Sequence, residues 1–145
     1  MTDVPYAPHS IRVLPSWLLG RAAARGHRLV TEALAAEGLR MMHHAVLATV
    51  AELGPVSQAD LARTLRVDPK DMVAIIHDLR GDALIDQTPD PADRRKNAIT
   101  LTPAGQETLT RTTRLGNQAN TTLTAGLTPA EEAQLIALLT RVVAG

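Results

Sequence analysis

The stretch VSQADLARTLRVDPKDMVAIIHDL, Val56 to Leu79, carries one helix-start signal twice. In the first copy Ser57 is placed to cap a helix, Asp60 falls in its first turn, and Val56 can staple against Leu61. In the second, Asp68 caps and Pro69 takes the first helical position, where a missing N–H costs nothing. Asp71 again falls in the first turn, and Val67 can staple against Met72. Leu61, Ala62 and Leu65 would turn inward from the first helix, about 58–65. Met72, Ile75, Ile76 and Leu79 would do so from the second, about 69–79. Only Arg66 and Val67 lie before the second cap, so the pair predicts a helix-turn-helix.

Downstream, LIDQT (84–88) and AITL (98–101) read as two strands around the loop PDPADRRKN. The tip of that hairpin holds Arg94, Arg95 and Lys96, the densest basic cluster in a chain whose formal net charge is zero. Thr102 and Pro103 open a long helix, about 103–125, with a weak apolar stripe of Leu109, Ala119 and Leu123. Thr128 and Glu131 form a capping box for a last helix whose apolar face is Leu135, Ile136, Leu139, Val142 and Val143. Upstream, a helix with Met42, Val46, Thr49, Val50 and Leu53 at helical spacing stops at Gly54-Pro55. Before it, Pro15 opens a helix to about Ala36, with Gly26 a mild breaker inside and Gly38 just past the end. Residues 1–14, with Pro5 and Pro8, read as an arm.

The expected fold is therefore mainly α, one domain over 1–145. It would be a winged helix-turn-helix (55–102) with a two-stranded wing, held between N- and C-terminal dimerisation helices (15–53 and 103–145). The end helices carry more apolar stripe than one small helix-turn-helix can cover, which predicts a homodimer.

Composition agrees with a globular, aliphatic-cored protein: 45% hydrophobic, 21% charged, no Phe, one Trp and one Tyr. No membrane span and no secretory signal are evident, so a cytoplasmic protein is expected. The absence of cysteine removes a thiolate nucleophile, a disulfide framework and a cysteine-ligated zinc site. No Gly-rich phosphate loop or Ser/His/acid set points to catalysis, and no cofactor is expected. From Ser57 to Thr102, seven basic residues (Arg63, Arg66, Lys70, Arg80, Arg94, Arg95, Lys96) face eight acidic ones (Asp60, Asp68, Asp71, Asp78, Asp82, Asp86, Asp90, Asp93). Any nucleic-acid contact must then rest on placement of charge, not on its excess.

From about Pro15 to the C-terminus the chain resembles the MarR family of bacterial transcriptional regulators. DPADRRKNAITLTPAG is similar to that family's wing signature of Asp-x-Arg, an apolar strand and Leu-Thr-x-x-Gly, here Asp93, Arg95, Leu101, Thr102 and Gly105. SQADLARTL resembles its first helix-turn-helix helix, and GLRMMHHAVLATVAELGPVS the approach to it. The resemblance implies a symmetric dimer that sets helix 69–79 of each subunit in the major groove of double-stranded DNA. Arg95, oriented by Asp93, would enter the adjacent minor groove, where narrowness concentrates negative potential. It also implies a repressor on a pseudo-palindromic operator with half-sites about 10 bp apart, released by a small effector such as an aromatic acid. The chain departs from the family in three ways: Ala83 where Gly is usual, Gln87 where a basic residue is usual, and apolar Val73 and Ala74 in the middle of the recognition helix.

The expected DNA-contacting residues are Ser57, Gln58, Arg66, Lys70, Asp71, Ala74, His77, Asp93, Arg94, Arg95 and Lys96. Lys70 and Arg66 suit phosphates or bases, Ala74 a thymine methyl, and His77 the backbone. Asp71 could accept from a cytosine amine or serve only the helix start. Backbone N–H groups at Ser57 and Gln58 suit phosphate. Arg12, Trp17, Arg21, His43 and His44 could supply a cation and a flat wall for a carboxylate ligand. The alternative for His43 and His44 is interface packing, and being adjacent on a helix they point about 100° apart and do not suit one metal. No metal site is expected. The competing function is a winged-helix dimer that binds protein and not DNA; a ligand-binding protein without a regulatory role is a further alternative.

Overall fold

The computed structural model describes residues 7–90, 92–93 and 97–145. Seven helices and two strands follow in the order α1 (His9–Arg12), α2 (Pro15–Ala35), α3 (Met41–Leu53), α4 (Gln58–Leu65), α5 (Pro69–Gly81), β1 (Ile85–Pro89), β2 (Asn97–Leu101), α6 (Pro103–Leu123) and α7 (Pro129–Ala144) among the described residues. The helix starts form where short polar side chains satisfy the free N–H groups of the first turn. Ser57 accepts from the Asp60 N–H, Asp68 from that of Lys70, and Thr128 from that of Glu131. Glu131 returns the bond by accepting from the Thr128 N–H at 2.9 Å. These bonds hold the Glu131 carboxyl below the ordinary carboxylate pKa.

The chain divides into two compact units, one up to Val30 plus Gln118–Gly145, the other Thr31–Asn117. In the second unit, α3, α4, α5 and the hairpin enclose the core. Val46, Leu47, Leu61, Met72, Leu79 and Ile99 are fully or almost fully buried there, and Val50, Ile76 and Ile85 complete it. β1 and β2 pair antiparallel with Ile85 opposite Leu101 and Pro89 opposite Asn97. Val56 exchanges two backbone hydrogen bonds with Ile99, which adds a one-residue rung to the wing. This rung is absent from the sequence reading, which used Val56 only as a staple; one residue cannot show a strand period.

In the first unit, Gly26 lets Leu123 approach closely: a Cβ at that glycine would stand 3.2 Å from a Leu123 methyl. The breaker thus marks a packing site. Boundaries differ from expectation by small amounts. The arm contains the turn of helix α1, which buries nothing; α5 continues to Gly81; α6 ends at Leu123. The apolar face expected on α7 is present and only partly covered: Leu135 and Leu139 are half-buried, whereas Ile136, Val142 and Val143 are 59%, 60% and 86% exposed.

Candidate nucleic-acid interface

Helix α5 is set in place at both ends by the same backbone device. Arg66 at the end of α4 and Ala83 after α5 both adopt the left-handed conformation, φ 53° and 58°. The residue after each then bonds back: Val67 N–H to Ala62 O at 2.9 Å and Leu84 N–H to Leu79 O at 3.0 Å. Such a turn satisfies the last carbonyls of a helix and normally uses Gly, because a Cβ is disfavoured there. Neither position is Gly here.

Between these ends α5 buries Met72, Ile76 and Leu79. At about 100° per residue, the opposite side centres on Lys70, Ala74 and His77, all exposed. Val73 and Arg80 lie on one flank of that face, Asp71 and Asp78 on the other. Arg80 donates to the Gln87 side chain of β1 at 2.9 Å, so the wing is tied to the end of the helix. The base of the wing is tied again at α6. Thr102 donates through its hydroxyl to Ala83 O at 2.7 Å and accepts from the Gly105 N–H at 3.0 Å. A Cβ at Gly105 would run into the Leu84 carbonyl. The Leu-Thr-x-x-Gly signature is therefore a cap plus a clearance for the wing's first peptide.

On the other flank, His43 Nδ1 accepts from the Arg40 N–H at 3.3 Å, which places the proton on Nε2. Nε2 then donates to Asp78 of α5 at 3.1 Å. Arg40, His43, Arg66, Asp71, Ala74 and Asp78 line one open cavity of about 500 Å³. Asp71 thus shares its surroundings with two arginines. His44 points elsewhere: its Nδ1 lies 2.8 Å from the Thr112 hydroxyl of α6, and burial lowers its pKa. Burial therefore favours the neutral ring at His44 over the charged one.

Of the other expected residues, Ser57 and Gln58 are half-buried at the start of α4, and Asp93 is half-buried in the wing. Arg94, Arg95 and Lys96 lie outside the described residues. Arg12 is exposed on α1, and the Arg21 guanidinium stands 5.7 Å above the Trp17 ring. Trp17 and Arg21 belong to the first unit and His43 and His44 to the second. Sequence reasoning missed Arg80 with Gln87, and His43 with Asp78. The first pair spans a turn whose left-handed residue was not anticipated; the second joins residues far apart in the chain and has no local signal. No group of three metal-ligating side chains occurs among the described residues, and no described helix is long and apolar enough to cross a membrane.

Two capped helices, an exposed second helix and a tied hairpin define a winged helix-turn-helix protein. The sequence profile of the MarR family matches residues 37–96, the span from the approach to α3 into the wing. The chain is 25% identical over 136 residues to the HTH-type transcriptional repressor NicR of Pseudomonas putida, covering 94% of this chain and 86% of NicR. Its fold superposes on the transcriptional repressor CouR bound to a 23-mer DNA duplex with a TM-score of 0.87 and 25% identity, covering 95% and 98% of the two chains. Bordetella bronchiseptica BpsR, whose DNA binding is regulated by 6-hydroxynicotinic acid, gives 0.84 and 26%, covering 96% and 99%. The chain is thus similar to MarR family transcriptional regulators, with the family's own profile matched across the helix-turn-helix.

Proposed function

We propose that the protein is a sequence-specific repressor that binds a pseudo-palindromic operator as a homodimer. The observation that carries this reading is the outward side of α5. Its side chains serve no core, yet both ends of the helix are held in strained turns that keep it projecting. Lys70 on that side, with Arg66 in the turn before the helix, makes phosphate or base contacts, His77 a backbone contact, and Ala74 an apolar one. Ser57 and Gln58 offer phosphate contacts at the start of α4, and Asp71 a further polar one. Arg95, oriented by Asp93, enters the minor groove, and Arg94 and Lys96 add DNA contacts beside it.

The partly covered apolar side of α7 and an apolar groove of about 700 Å³ lined by Leu18, Ala22, Leu123, Leu127, Leu135 and Leu139 support pairing with a second copy. BpsR suggests an aromatic acid as effector. Arg21 over Trp17, with Arg12 nearby in sequence, and the His44–Thr112 pair, next to His43, are two separate candidate contacts for it. A chain acting on chromosomal DNA works in the cytoplasm and needs no catalysis.

The test is fluorescence anisotropy with duplexes selected from a random library, over a range of salt. Binding should weaken with log salt at a slope of about 0.9 per phosphate neutralised, and Lys70→Ala and Arg95→Ala should each lower that slope by about 1. Absence of binding at low salt across the library would sink the DNA reading and leave the protein-binding alternative, which the near-balance of charge favours.

A further inference from the structure

Val73 is a large apolar side chain left 54% exposed on the helix that this reading puts in the major groove. It stands one turn after Lys70 and one turn before His77, beside Ala74, and it belongs neither to the core nor to the half-buried side chains packed on it. An alkyl group cannot exchange hydrogen bonds with a base edge. The only apolar group that a base pair presents in the major groove is the C5-methyl of thymine. Water is released from both surfaces when two such groups meet, and nothing polar is left unpaired. An alkyl chain brought instead against a cytosine amine or a guanine carbonyl would strip water from a polar atom and offer no partner. The position therefore attracts thymine and penalises the alternatives.

Resting on the DNA-binding reading above, we propose that Val73 is a specificity-determining residue that reads a thymine methyl in each half-site. The apolar middle of the recognition helix is then a readout device, with Lys70 and Arg66 supplying charge around it.

The experiment begins with an operator selected from a random duplex library. Each thymine of the half-site is replaced in turn, symmetrically, by deoxyuridine, which differs only in lacking the methyl group. Affinities are measured by anisotropy at fixed salt for wild type and Val73→Ala. At one thymine, loss of the methyl should weaken wild-type binding roughly fourfold per half-site, about tenfold or more for the pair. The same change should cost Val73→Ala less than about twofold, since the partner group is gone. Thermal unfolding of Val73→Ala should match wild type, because the side chain is exposed. Binding that is indifferent to every methyl, or a methyl penalty equal in wild type and Val73→Ala, overturns the inference while leaving DNA binding intact. If no duplex is selected or bound at low salt, the DNA reading falls, and this inference with it.

Discussion

Arg66 sits where an L-residue pays about 1 kcal/mol in backbone strain, with φ at 53°. Strain kept at a charged, exposed position between two helices suits a residue retained for what its side chain does. Ala83, at φ 58°, is strained alike but offers no functional side chain. Arg66→Gly and Ala83→Gly should each raise stability by about 1 kcal/mol in urea unfolding. Only Arg66→Gly should weaken duplex binding in anisotropy, and equal affinity for both variants would remove Arg66 from the interface. At this scale the sequence was legible where the chemistry is local. Ser57, Asp68 and Thr128 cap as their side chains require. The left-handed turn at Arg66 was not legible, because it lacks the Gly that normally announces one, and the turn at Ala83 showed only as a position where the family has Gly.

Elements are joined by a few polar bonds that connect distant residues, and here the sequence was silent. His44 on α3 bonds Thr112 on α6, and its burial favours the neutral ring. The sign of the pH effect follows. Above the ordinary value of 6.5, both folded and unfolded states hold His44 neutral, so it adds no pH dependence. As pH falls through 6.5 the unfolded chain takes up the proton first, and stability declines until the lowered folded value is passed. His44→Gln should flatten the fall in urea midpoint in that window relative to wild type; an unchanged slope would show that the proton goes elsewhere. At the wing's base, Gly105→Ala drives a methyl into the Leu84 carbonyl and should cost about 1–3 kcal/mol in thermal unfolding. The glycine was visible in the motif; its reason was not, because a clearance involves a peptide from another part of the chain.

On the scale of the whole molecule, the order of elements and the place of the core followed from apolar spacing, since Leu61, Met72, Ile76 and Leu79 recur with the helix period. Thr108 and Thr112 did not declare themselves as buried, because Thr is polar by any pattern, yet both lie on the inner side of α6. The exposed apolar side of α7 makes assembly testable. Ile136→Glu puts a charge into that face and should shift sedimentation from a dimer to a monomer at micromolar concentration, since burying an unpaired charge is costly. A dimer that persists would place the contact on other residues.

The bonds that hold α5 at its ends run between main-chain atoms or through Asp68, Arg80 and Thr102, and none uses the outward side chains of Lys70, Val73, Ala74 or His77. Mounting and message are therefore separable. Exchanging those four side chains should leave the helix seated while changing the operator it prefers, so a lineage can retarget such a protein by a handful of codons without renegotiating its fold.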